Sequence, residues 1–260
     1  SIRRQRQMCI RDRSLVISSS SAGSLPSDYS FTVPVIADVS GTITPKALSA
    51  TASIGGTLSK VYDGSSAAPG ALVSGTVNGA VAGDAISVNT SGITVSYNSA
   101  RVVGANSLRA SGTPTVVIDS STSGSVLSDY SFTAPVIADT AGTITPKALS
   151  ATASIGGTLS KVYDGSAAAP GALVSGTVSG AVAGDAISVN TGAITVSYNS
   201  ARVVGANSLR ASGTPSVVID SSTSGSVLSD YSFTAPVIAD AAGTITPKAL
   251  SATASIGGTL

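Results

Sequence analysis

Histidine, glutamate and tryptophan are absent from the 260 residues, and cysteine and methionine occur once each. Acid–base and metal chemistry draw mainly on histidine, glutamate and cysteine, so the inventory argues against an enzyme. Charged side chains are only 10% of the chain, and 14 basic groups nearly cancel 13 acidic ones. A nucleic-acid binder would show a basic excess, so no nucleic-acid partner is expected. No apolar run reaches the roughly 18 residues of a membrane-crossing helix. With no Glu, few Lys and abundant Val, Ile and Thr, helices are disfavoured throughout.

What is present is unevenly placed. Residues 1–13 hold the only Cys (Cys9), the only Met (Met8), both Gln and five of the nine Arg. They lack the initial Met and the long apolar stretch of a signal peptide. A basic arm for an acidic surface is one reading. The other is that RQMCIRDR resembles translated sequencing-adaptor sequence, and the segment is set aside as an artefact. Residues 14–260 then carry 9 basic and 12 acidic groups, a net of −3, and no cysteine.

Those residues repeat. Pro45, Pro146 and Pro247 mark a period of 101 residues. Residues 45–145 and 146–246 differ only at Ser66/Ala167, Asn78/Ser179, Ser91/Gly192, Gly92/Ala193, Thr115/Ser216 and Thr140/Ala241. Residues 14–44 match the C-terminal part of a copy, and residues 247–260 match the start of another. The chain therefore reads as two whole repeats flanked by partial ones, a window on a longer array. A period of 101 exceeds the roughly 20–50 residues of solenoid repeats and suits one small domain per copy.

Each copy reads as short strands. Leu48, Ala50, Ala52 and Ile54 alternate with Ser49, Thr51 and Ser53, and Ile93, Val95 and Tyr97 alternate with Thr94 and Ser96. A period of two puts one face inward. Further strands are expected at 71–77, 86–88, 106–110, 115–119, 130–133, 136–138 and 142–145. Turn signals lie between them, among them Asp63-Gly64, Gly83-Asp84 and Ser123-Gly124. The expectation is an all-β fold of tandem small β-sandwich-like domains, immunoglobulin-like or β-grasp-like, in a linear array. Thr-Pro-Lys junctions would join them stiffly, since Pro fixes its own φ and restricts the residue before it.

The residues from Leu58 to Gly75, repeated from Leu159, resemble the YDG-type repeat domain. Its signature is matched by Lys60, Tyr62, Asp63 and Gly64, and again by Lys161, Tyr163, Asp164 and Gly165. Gly83-Asp84, Val103-Gly104 and the segment Ser128-Asp129-Tyr130-Ser131-Phe132 fit the family's order, with Arg101-Val102 where the family has Asn. The resemblance implies a large secreted, filamentous-haemagglutinin-like bacterial surface protein, hence an extracellular location. It implies a non-enzymatic stalk or spacer with weak adhesive contacts. The alternative is a module that binds a host glycan or protein through avidity.

The individual residues favour structure over chemistry. Tyr62 is expected in the core, with Asp63-Gly64 as a tight turn whose Gly accepts positive φ. A glycan contact by Tyr62 and Asp63 is the competing reading. Asp63, Asp84, Asp119, Asp129 and Asp139 fall in no short ligand loop, so no cofactor is expected and calcium is the weaker alternative. An isopeptide crosslink between Lys60 and Asn98 or Asn106, which would need a buried carboxylate beside it, is the weaker alternative to a plain structural role. Arg101 and Arg109 read as surface charges. The expected partners are the neighbouring repeats and a host-surface glycan or protein.

Overall fold

The computed structural model describes residue 23, residues 25–30 and residues 36–258. The adaptor-like residues 1–13 lie outside them. The chain divides into two compact units, Ser1–Thr44 and Pro45–Leu260. In the first, Pro26–Asp28 forms a 3-10 turn closed by the Leu25 N–H donating to Asp28 Oδ2 at 2.8 Å.

The second unit holds both complete repeats. The first repeat contains β1 (Lys46–Ala47), β2 (Ser49–Gly56), β3 (Ser59–Val61), β4 (Ala71–Asn78), β5 (Asp84–Asn89), β6 (Thr94–Tyr97), β7 (Ser107–Ser111), β8 (Thr115–Ser121), β9 (Tyr130–Ser131), β10 (Thr140–Ala141) and β11 (Thr143–Thr145). The second repeat reproduces each strand 101 residues on, beginning with β12 (Lys147–Ala148). Among the described residues of these repeats the only helical turns are the 3-10 turns Leu127–Asp129 and Leu228–Asp230.

Period-two patterning accounts for the antiparallel pairs. β2 pairs with β4 along its whole length, from Ser49 opposite Asn78 to Gly56 opposite Ala71. Burial alternates along both strands. The outward face carries hydroxyls such as Thr51 and Thr76, 2.9 Å apart across the strands, a cross-strand pair that favours this register. Gly75 sits where a Cβ would lie 2.7 Å from Val88 Cβ, so its bareness lets β5 pack against β4. β5 pairs with β8 through a bulge at Ala85/Ile86, and β6, β7 and β10 form an antiparallel three-stranded sheet.

Two further pairings are parallel: β3 with β11, and β1 with β9. They join segments far apart in sequence and close each repeat. Leu108, fully buried, centres a cluster with Ile54, Tyr97, Ala105 and Ile144. A second, smaller cluster holds Leu48, Val116 and Tyr130. Truncating Leu108 to Ala would cost about 3 kcal/mol on the scale of buried leucines.

The architecture is the tandem all-β one expected from the sequence. Residues 136–138 are not a strand, and β3 was not foreseen. Residues 247–258 repeat the sequence of 146–157 yet form no strand. The reason is pairing: β2 is held along its whole length by β4, and among the described residues nothing pairs with 247–258.

Candidate functional site

The signature residues divide between two tasks. Lys60 Nζ donates to Asp63 Oδ1 at 2.6 Å and to the Ser65 carbonyl at 2.7 Å, and lies 5.6 Å from the Tyr97 ring centroid. The Ser65 N–H also donates to Asp63 Oδ1, at 2.9 Å. Gly64 completes this turn at φ +83°, a left-handed backbone that glycine tolerates best. Burial alone would raise the Asp63 pKa, but the Lys60 and Ser65 hydrogen bonds outweigh it and hold the carboxyl below its ordinary value. Lys161, Asp164 and Ser166 repeat this staple, with Lys161 5.7 Å from the Tyr198 ring centroid. Lysine and aspartate therefore serve their own repeat. Lys60 is not directed at Asn98 or Asn106, which hydrogen-bond each other at 2.9 Å.

Tyr62 and Gly64 serve the next repeat. The extended segment 143–148 belongs to both: Thr145 pairs with Val61 of the first repeat, and Lys147 with Tyr231 of the second. Pro146 stands between, where its missing N–H costs no ladder bond. This register brings Tyr62 against Tyr231, edge to face, with ring centroids 5.6 Å apart. Tyr62 is 1% exposed. Its hydroxyl meets Ser226 Oγ at 2.6 Å. A Cβ at Gly64 would lie 3.3 Å from both Ser224 Cβ and Val182 Cγ1.

The receiving surface is a set of three serines. Ser222 ends its strand, and Ser224 and Ser226 follow it in a bend through Gly225 at φ +70°; their hydroxyls link to one another, and Asp185 accepts from Ser222 and Ser224. The Tyr231 hydroxyl donates to Asp185 Oδ2. Burial opposes the Asp185 charge, but these hydrogen bonds prevail and its pKa lies below the ordinary carboxylate value. For Tyr231, burial first and the Asp185 bond second push the phenol pKa up. In the first repeat Ser121, with Tyr130 and the neighbouring hydroxyls, holds the Asp84 carboxyl well down.

A charged pair locks the same junction. Arg101 Nε donates to Asp230 Oδ2 at 2.6 Å, and its Nη1 donates to the Gly225 carbonyl. The Val102 N–H donates to Asp230 Oδ1 at 3.0 Å, and the Val227 N–H to Oδ2 at 2.9 Å. Asp230 is fully buried yet fully partnered, the condition under which a buried carboxylate is tolerated. The expectation that Arg101 is a surface charge is thus corrected: a partner 129 residues away draws it in. Arg109 pairs with Asp139 at 2.9 Å while both stay exposed.

Sequence reasoning missed Arg101, Val182, Ser224, Ser226 and Asp230. The serine alternation was visible but indistinguishable from a solvated strand face. Tyr62 takes the expected core position, but its core spans two repeats, and Tyr163 is 39% exposed. Among the described residues no three metal-ligating side chains converge, and no helix is long and apolar enough to cross a membrane.

Such a chain is a tandem array of small all-β domains docked end to end. The sequence signature of the YDG domain matches residues 44–137 and 145–238, and the chain belongs to this family. The matches stop short of β10 and β11, although Ile144 of β11 is buried in the core. No curated protein and no solved structure matches the chain.

Proposed function

We propose that this chain is a non-enzymatic repeat region of a large extracellular bacterial surface adhesin of filamentous-haemagglutinin type, acting as a stalk or spacer with weak adhesive contacts. The docked junction carries the reading. A spacer must keep its length, and here a shared extended segment, an aromatic pair and a buried ion pair join consecutive repeats. A flexible string of domains would need none of these. Spin labels at Thr76→Cys and Thr177→Cys, in a Cys9→Ser background, test it. The spacer reading expects one narrow distance distribution; a broad one would contradict it.

A second reading, a module that binds host glycan or protein by avidity, draws on the near-identity of the repeats, which offers the same surface more than once. Glycan-array binding by the chain would support it over the spacer.

A further inference from the structure

The turn after β5 carries an asparagine with a hydroxyl two residues on. Of the seven asparagines in the chain, only Asn89, in Asn89-Thr90-Ser91, begins the Asn-x-Ser/Thr pattern of an N-linked sugar acceptor, a pattern that needs a surface loop. Asn89 ends β5 and is exposed, as are Ser91 and Gly92 beyond it. The Ile93 N–H donates to the Thr90 carbonyl at 3.1 Å and closes the turn. Thr90 Oγ1 donates to the Val73 carbonyl at 3.1 Å and ties the turn to β4. The Asn89 carboxamide is held at one atom only. Its Oδ1 accepts from the Ser91 N–H at 3.0 Å and from the Ser91 hydroxyl at 2.7 Å, while its Nδ2 meets no acceptor among the described residues. A Cβ on Gly92 would meet nothing within 4 Å, so the turn faces open space. Asn98 is held differently: its Nδ2 donates to Asn106, and its Oδ1 accepts from the Asn106 and Ser107 N–H groups.

We propose that Asn89 is an acceptor site for N-linked glycosylation, taking a sugar from a nucleoside-diphosphate sugar on a glycosyltransferase. In that step Nδ2 bonds to the anomeric carbon of the sugar. The bond from that carbon to the diphosphate oxygen breaks, and the nucleoside diphosphate leaves with the electron pair. One Nδ2 proton passes to a carboxylate of the transferase. The Ser91 hydroxyl on Oδ1 stabilises the charge that develops on the amide as this proton leaves. The second repeat supplies the contrast. Asn190-Thr191-Gly192 forms the same turn, with the Gly192 N–H donating to Asn190 Oδ1 at 3.0 Å, but Gly192 brings no hydroxyl. Two of the six differences between the repeats, Ser91/Gly192 and Gly92/Ala193, fall in this turn. One repeat is thus an acceptor and the other a blank on the same fold. The acceptor role follows from the turn and does not depend on the stalk role.

Transfer to the folded whole chain tests it. The chain is incubated with UDP-glucose and a soluble N-glycosyltransferase that reads Asn-x-Ser/Thr, then digested with trypsin and weighed. Cleavage after Lys60, Arg101, Lys161 and Arg202 releases peptides 61–101 and 162–202, each with one copy of the turn. Peptide 61–101 should gain one hexose and peptide 162–202 none. Ser91→Gly should abolish the gain. Gly192→Ser should add a hexose to peptide 162–202, and the turn has room for it: a Cβ at residue 192 would lie 3.4 Å from Asn190 Oδ1, an ordinary contact. Each variant places in one turn a residue that the other turn already carries, so neither threatens the fold. A free peptide of residues 85–95, modified in parallel, shows that the enzyme is active. With that peptide modified and the whole chain unmodified, the folded turn is no acceptor and the proposal is overturned. Equal gains on both wild-type peptides, or a gain on 61–101 that survives Ser91→Gly, would overturn it too.

Discussion

Tyr62 and Tyr163 occupy the same place in near-identical repeats, yet one is 1% exposed and the other 39%. Asp230 is fully buried while its counterpart Asp129 is exposed. Local sequence cannot cause this difference, because the residues are the same. The cause is the neighbour: the first repeat's donor end is covered by the second, and the second's is covered by nothing among the described residues. The comparison separates what the YDG signature does inside a repeat from what it does between repeats. Lys60 and Lys161 make the same staple in both copies. Tyr62 and Gly64 gain a neighbour that Tyr163 and Gly165 lack.

Paired substitutions can break this comparison. The largest contrast is expected from tyrosine. Tyr62→Ala should cost about 3–5 kcal/mol, as for other buried aromatics. Tyr163→Ala should cost about 1 kcal/mol or less, as for a largely exposed side chain. Urea midpoints of the whole chain would show the gap; equal shifts would remove the junction from the account.

Next comes the charged pair. Arg101→Ala leaves Asp230 buried with its backbone donors but no cation, and breaking a buried pair costs roughly 3 kcal/mol. Arg202→Ala should stay within about 0.5 kcal/mol, as surface changes usually do. Smaller still is the glycine contrast. Both Gly64→Ala and Gly165→Ala force a side chain to positive φ, but only the first presses on Val182 and Ser224. The difference between them should be about 1 kcal/mol or less, the low end of overpacking.

The smallest contrast is with pH. Asp84 and Asp185 both have pKa values depressed in the fold. The unfolded chain therefore takes up protons first as pH falls, so the contribution is complete above about pH 4 and is lost through the folded-state value. Thermal midpoints should be flat near neutrality and fall in strong acid. Asp84→Asn and Asp185→Asn should each flatten the acid limb, and to a similar degree.

What the sequence disclosed was whatever is local. The β2 alternation from Leu48 to Ile54 and the turn glycines at 64, 83 and 124 were legible, because period and φ are properties of a few adjacent residues. β3 was hidden: three residues around a lysine give no pattern, and the strand exists through parallel pairing with residues 143–145. Residues 136–138 have the apolar pattern of a strand but no partner to pair with. The junction was least legible of all. Arg101 meets a carboxylate 129 residues away in another repeat, and no periodicity within one copy encodes that.

A double-mutant cycle on Arg101 and Asp230, read from urea unfolding of the whole chain, tests the central claim most directly. Arg101→Ala, Asp230→Ala and the double variant should give a coupling of roughly 1–3 kcal/mol, the range for groups in contact. The same cycle on Arg202 and Asp129, which the fold does not bring together, should give none. Coupling in the second pair, or its absence in the first, would contradict the account.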